Sequence, residues 1–194
     1  MDLSKFKTSD WLKVGGAVLI LICGFLEWVT IEFSGFGESF SDGGGNAFDF
    51  FWTGTLPWLL VVATGVITLL LAGGMMKAGS TPWTMILLAA TALATLLLLI
   101  RVIFNPLEGK DFLEAGGAEV GRGIGMLGSA LGGILALAGS FMAFQAAGGS
   151  LADLKDPNKL KASFGAGGQQ GGGTPPPPPP PGMTPPPPPP PPAG

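Results

Sequence analysis

Two ionisable side chains stand near the ends of long apolar runs, Glu27 in "GGAVLILICGFLEWVTIEF" and Arg101 in "TLLLLIRVIF". A carboxylate and a guanidinium at matching depth in a membrane can form a pair that sets helix packing, or a group that responds to protons. An ionisable residue inside a membrane is a functional hypothesis by default. The plain alternative is that each side chain snorkels separately into the headgroup layer. Glu27 lies about 16 residues past Trp11, roughly 24 Å along a helix, and Arg101 about 19 residues past Pro82, roughly 28 Å. Both then fall near one edge of the hydrocarbon core, and all three readings stay open.

Other reactive chemistry is scarce. The chain has no histidine, and its single cysteine, Cys23, lies inside the first apolar run. An intramolecular disulfide is impossible, imidazole and thiolate metal sites are ruled out, and no nucleophile stands beside a base. "DGGGNAFD" places Asp42, Asn46 and Asp49 near one another but lacks the alternating ligands of an EF-hand loop. The expectation is a non-enzyme with no cofactor, no metal and no nucleic-acid partner.

The elements that carry these residues follow from hydropathy. The 194 residues are 47% hydrophobic and only 12% charged, with mean hydropathy +0.49, whereas soluble domains are about a quarter charged. Four apolar runs, 12–31, 57–74, 82–104 and 124–145, each approach the ~17–25 residues needed to cross a bilayer as a helix. Since only helices and closed barrels satisfy the backbone in lipid, the expected fold is an all-α membrane protein, a four-transmembrane-helix bundle over 12–148. The first run has no small-x-small cleavage site, and Ile22 occupies the place where a lipoprotein signal needs a small residue, so it reads as an uncleaved helix. Pro57 and Pro82 mark the starts of the second and third helices.

Cation placement orients the bundle. With both termini inside, seven lysines (residues 5, 7, 13, 77, 155, 159 and 161) lie on the cytoplasmic side against Arg101, Lys110 and Arg122 outside. The reading is N-in and C-in, with a cytoplasmic N-terminus at 1–11 and outer loops at 32–56 and 105–123. The setting is a plasma membrane crossed several times, such as a bacterial inner membrane. All five tryptophans fall at expected helix ends, Trp11 and Trp83 inside and Trp28, Trp52 and Trp58 outside, the pattern of interfacial anchors.

The fourth run carries small residues at four-residue spacing, Gly121, Gly125, Ser129 and Gly133. Such a strip permits close backbone approach where lipid gives no hydrophobic drive between helices. Its partner is either another helix of the same bundle, with Gly16, Ile20 and Gly24 a candidate face, or a second copy of the chain in a homo-oligomer. The first outer loop alternates aromatics with Gly, Ser and Asp, which suggests a compact hairpin turning at "SDGGGN" or a segment folded on the membrane surface. In the other outer loop, residues 111–115 read as a short amphipathic turn.

From residue 149 the chain becomes a Gly- and Pro-rich tail without the composition for a core. Its two proline runs, between Pro175 and Pro192, should form polyproline II rods of about 20 to 25 Å each, hinged at Gly182 and Met183. Preformed polyproline is readily bound by aromatic grooves, so the tail either recruits a protein partner or acts as a spacer. The basic stretch "KDPNKLK" before it offers weak attraction to anionic lipid.

"GFLEWVTIEFSGFG" is similar to the "FLPWV" helix end of many small actinobacterial four-span membrane proteins, with Glu27 in place of the proline, and "FDFFWTG" precedes the second helix in the same manner. The overall plan resembles the mycobacterial 34 kDa antigenic protein family, in which four spans are followed by a Pro- and Gln-rich tail. That resemblance implies a role near the cell envelope or division machinery and supplies no site residue. The expected function is a non-enzymatic membrane scaffold or accessory subunit in contact with the lipid bilayer. The alternative is a small oligomeric channel or transporter component, for which the helices offer only hydroxyls such as Thr64, Thr68, Ser129 and Ser140.

Overall fold

The computed structural model describes residues 6–35, 38–76, 82–104 and 110–150. Its elements in chain order are α1 (Thr8–Cys23), β1 (Val29–Gly35), β2 (Glu38–Gly43), a 3-10 turn (Ala47–Asp49), a π turn (Phe51–Thr55), α2 (Leu56–Ala72), α3 (Trp83–Phe104), α4 (Lys110–Ala115), β3 (Ala118–Arg122) and α5 (Ile124–Ala146). Among the described residues, three helical stretches are long and apolar enough to cross a membrane: Phe51–Ala72 with 22 residues, Trp83–Phe104 with 22 and Ile124–Ala146 with 23. Their positions match the second, third and fourth apolar runs.

The first run is built differently from the expectation. α1 has 16 residues and stops at Cys23, a length of about 24 Å. Beyond it the chain turns through residues 24–28 and enters β1. The apolar run continues past the helix because "VTIEF" is a strand, with Val29, Ile31 and Phe33 alternating with Thr30 and Glu32.

Four helices form a ring in which each neighbour runs antiparallel. Ser9 and Lys13 at the start of α1 meet Gly139 near the end of α5, while Cys23 at the end of α1 meets Gly125 and Gly128 near the start of α5. α2 flanks the other side of α1, with Ala17 against Gly65 and Gly24 against Trp58. α3 closes the ring between α2 and α5. The interior is filled by Ile20, Val61, Ala94, Leu98, Met126 and Ala136, all with no accessible surface. The outward side chains are apolar on all four helices, including Val18, Leu21 and Ile22 of α1.

The connection between α1 and α2 and the one between α3 and α5 meet at one end as a three-stranded antiparallel sheet of order β2-β1-β3. The expected hairpin is present, but its strands stay paired as far as Gly35↔Glu38, and Ser41, Asp42 and Gly43 belong to β2. β3 pairs with the other edge of β1 in the register Val29↔Arg122, Ile31↔Val120, Phe33↔Ala118. The expected all-α class is corrected by this sheet. Its pairing joins residues about ninety apart in sequence, so local periodicity reveals the strand pattern but not the partner. The short turn expected at 111–115 is present as α4.

Candidate functional site

The sheet end of the bundle gathers most of the residues marked by their chemistry. Arg101 has 1% of its surface exposed, and its guanidinium carbon sits 3.7 Å from the centroid of the Phe50 ring. A desolvated cation over an aromatic face is worth on the order of 1–2 kcal/mol. Phe50 is delivered by the 3-10 turn before it. Asn46 caps that turn by accepting from the Phe48 N–H at 2.9 Å, and the Asn46 N–H donates to Asp49 Oδ2 at 2.7 Å. These side-chain oxygens therefore serve the backbone.

One turn further along, α3 ends with carbonyls that have no partner within the helix. Arg122 of β3 supplies one from outside, donating from Nε to the Val102 carbonyl at 2.6 Å and from Nη2 to the Ile103 carbonyl at 3.2 Å. Two arginines thus fasten both connections to the end of α3. Arg101 holds the first through Phe50, and Arg122 ties the second to the helix terminus. In the sequence Arg122 is marked only as a cation of an outer loop, where it bears on orientation. It lies 18 residues beyond the end of α3 in the chain, with α4 between, so no local spacing marks it as a cap for that helix.

Glu27 and Arg101 are not brought together. Lys13 pairs with Asp10 at 3.0 Å and Lys110 with Glu114 at 3.5 Å, and Glu27 joins neither. Glu27 is exposed, lies beyond the end of α1, and sets its carboxylate beside Gly43 of β2. Its backbone carbonyl accepts from the Gly125 N–H at 2.9 Å. Matching depth assumed an unbroken helix through residue 27, and the turn after Cys23 removes that premise.

The tryptophans divide into three kinds. Trp11 and Trp52 are 51% and 71% exposed. Trp28 is a correction: it is fully buried, and its indole N–H donates to the Cys23 carbonyl at 3.0 Å, capping the end of α1. Its backbone N–H donates to Gly45 and its carbonyl accepts from Gly123, so this one residue joins both connections beneath the sheet. Trp58 and Trp83 are half-buried, and each has its indole nitrogen enclosed. Trp58 lies against Phe25 and Phe48, with ring centroids 6.1 and 5.2 Å away.

The small residues of the fourth run form the seam of the bundle. A Cβ on Gly125 would stand 2.7 Å from the Cys23 carbonyl oxygen, and one on Gly133 would stand 3.0 Å from Leu98 Cδ1. Ser129 between them is completely buried. Gly132 packs on Gly16 and Ile20, so α5 uses one face for α1 and another for α3. Gly121 is a correction, because it lies in β3 rather than in the helix, where its missing side chain makes room for Thr30 Oγ1. Gly24, expected on the same face as Gly16, meets Trp58 of α2 instead.

The hydroxyls inside the bundle serve mainly the backbone. Thr64 donates to Leu60, Thr68 to Thr64 and Thr91 to Leu87, while Thr95 crosses to the Gly133 carbonyl at 2.9 Å. Pro175 to Pro192 lie outside the described residues. Compared with known protein families, curated proteins and solved structures, the chain matches none.

Proposed function

We propose that this chain is a non-enzymatic integral membrane scaffold, or an accessory subunit of a cell-envelope or division complex. In this reading all four helices cross the bilayer, and the proline-rich tail recruits or spaces a partner on the side away from the sheet. The observation that carries the proposal is the fastening of two distant connections into one sheet over a closed bundle. A filled interior offers no path for a solute, whereas an ordered platform at one end offers a fixed surface for assembly.

α1 is proposed to complete the set of spans. Its 16 residues are short of the ~30 Å hydrocarbon core, but it lies along α5 from Gly139 to Gly125. Residues 24–28 then continue beneath the sheet, so the chain covers nearly the depth of its longer neighbour. The tilt and local thinning that accommodate a short span cost only fractions of a kcal/mol per Å.

The test is affinity purification with crosslinking from native membranes, comparing the full chain with one stopped after Phe164, alongside conductance of the reconstituted full chain. A scaffold loses specific partners with its tail and conducts nothing. Conductance that survives removal of the tail, with an unchanged partner set, would favour the oligomeric channel instead.

A further inference from the structure

We propose that the end of the bundle opposite the sheet holds a binding site for an anionic phosphoryl group. A cavity of about 380 Å³ opens there between the start of α1, the end of α2, the start of α3 and the end of α5. That volume falls within the ~300–1,000 Å³ of small-ligand sites. Its polar lining comes chiefly from Lys7, Asp10, Lys13, Thr68, Trp83 and Ser140.

The hydrogen-bonding capacity left over in this cavity is largely of one kind. Asp10 uses both carboxylate oxygens: Oδ1 lies 3.0 Å from Lys13 Nζ, and Oδ2 accepts from the Lys7 backbone N–H at 3.2 Å. Thr68 donates its hydroxyl to the Thr64 carbonyl at 2.8 Å. The Trp83 indole N–H and the Ser140 hydroxyl are buried and have no hydrogen-bond partner, and Ser140 is 1% exposed. Lys13 is 5% exposed, and its ammonium has three hydrogens of which one serves Asp10.

The unspent groups on residues that line the cavity are the Trp83 N–H, the Ser140 hydroxyl, which can donate as well as accept, and the remaining Lys13 hydrogens, and the exposed Lys7 adds a second lysine against one carboxylate. Leaving such donors unmet in a buried position is unfavourable. A single ligand with several anionic oxygens meets them together and also balances the excess of lysine over carboxylate, which a neutral acceptor does not. Three of the four helices contribute, since Lys13, Trp83 and Ser140 lie on α1, α3 and α5. A tetrahedral phosphoryl group can receive donors from these separate directions. The site stands at the end of an apolar bundle, at the level of lipid headgroups in the four-span arrangement, so the phosphoryl group comes either from an anionic phospholipid or from free phosphate.

The experiment uses the purified, delipidated full chain in detergent, titrated separately with inorganic phosphate, with phosphatidylglycerol and with diacylglycerol, which lacks the phosphoryl group. Binding is read by native mass spectrometry and by the shift in melting temperature. Ser140→Ala removes one donor with little change of shape, Trp83→Phe removes another together with part of the indole ring, and Trp11→Phe makes the same ring change at an exposed indole outside the cavity. The expected result is binding of phosphate or phosphatidylglycerol but not diacylglycerol, weakened about tenfold by each cavity variant and unchanged by Trp11→Phe. Binding of phosphate identifies the free anion as sufficient, and binding of phosphatidylglycerol alone identifies the headgroup. Equal binding of all three ligands, binding of none, or undiminished affinity in both cavity variants would overturn the proposal. The two single variants are read independently, so a folding defect in one leaves the other decisive.

Discussion

Trp28 shows how far a residue's role can depart from its type. Near the end of an apolar run tryptophan reads as an interfacial anchor, yet here it is a plug whose indole caps α1 and whose backbone joins Gly45 to Gly123. Trp28→Ala should lower stability by about 3–5 kcal/mol, the range for truncating a buried aromatic. Trp28→Phe should cost about 1 kcal/mol from the lost N–H bond, plus the smaller ring. Thermal unfolding of the two variants in one detergent checks the order. At Arg122 the two bonds to α3 are exposed, so Arg122→Ala should cost only about 1 kcal/mol. Faster amide exchange should follow at β3 and the last turn of α3, while α1 stays unchanged. Uniform exchange throughout the molecule would show that Arg122 does not fasten that connection. Glu27→Gln should leave stability within about 0.5 kcal/mol, the usual span for an exposed position. A larger loss on thermal unfolding would restore a structural role to its charge.

At the scale of elements, adjacent glycines of α1 give opposite expectations. A Cβ on Gly16 would strike the Gly132 carbonyl and stand 2.8 Å from the Ala136 nitrogen, both backbone atoms of α5. Gly16→Val must therefore part the two helices and should cost about 1–3 kcal/mol or more. Gly15 has nothing within 4 Å of such an atom, so Gly15→Ala should stabilise by up to about 1 kcal/mol through helix propensity. Melting temperatures moving in the same direction for both would contradict the placement of the α1–α5 seam. Much of this level was legible in the sequence. Long apolar runs and their prolines locate α2, α3 and α5 closely, and small residues at Gly125, Ser129 and Gly133 mark a packed strip. The end of α1 was not legible from hydropathy, because strand residues Val29, Ile31 and Phe33 extend the apolar run that α1 begins. Pairing of β1 with β3 was hidden for a different reason. It depends on where α3 and α5 place a five-residue strand, which no local pattern records.

At the scale of the whole molecule, connections one and three share an end, while Lys7, the end of α2, Trp83 and the end of α5 share the other. This arrangement agrees with alternating helices, and the distribution of lysines proposes which end faces the cytoplasm. The chemistry of the cavity was the least legible feature. Asp10, Lys13, Trp83 and Ser140 come from three helices and have no shared spacing. Four crossings, with the sheet on one side and both described chain ends on the other, can be decided by labelling intact cells with a membrane-impermeant thiol reagent. On a Cys23→Ser background, single cysteines would be placed at the exposed positions Thr8, Glu119 and Ala147. Glu119→Cys should react in intact cells, whereas Thr8→Cys and Ala147→Cys should react only after lysis. Reaction of Thr8→Cys from the same side as Glu119→Cys would show that α1 does not cross the membrane, and the four-span scaffold would fall with it.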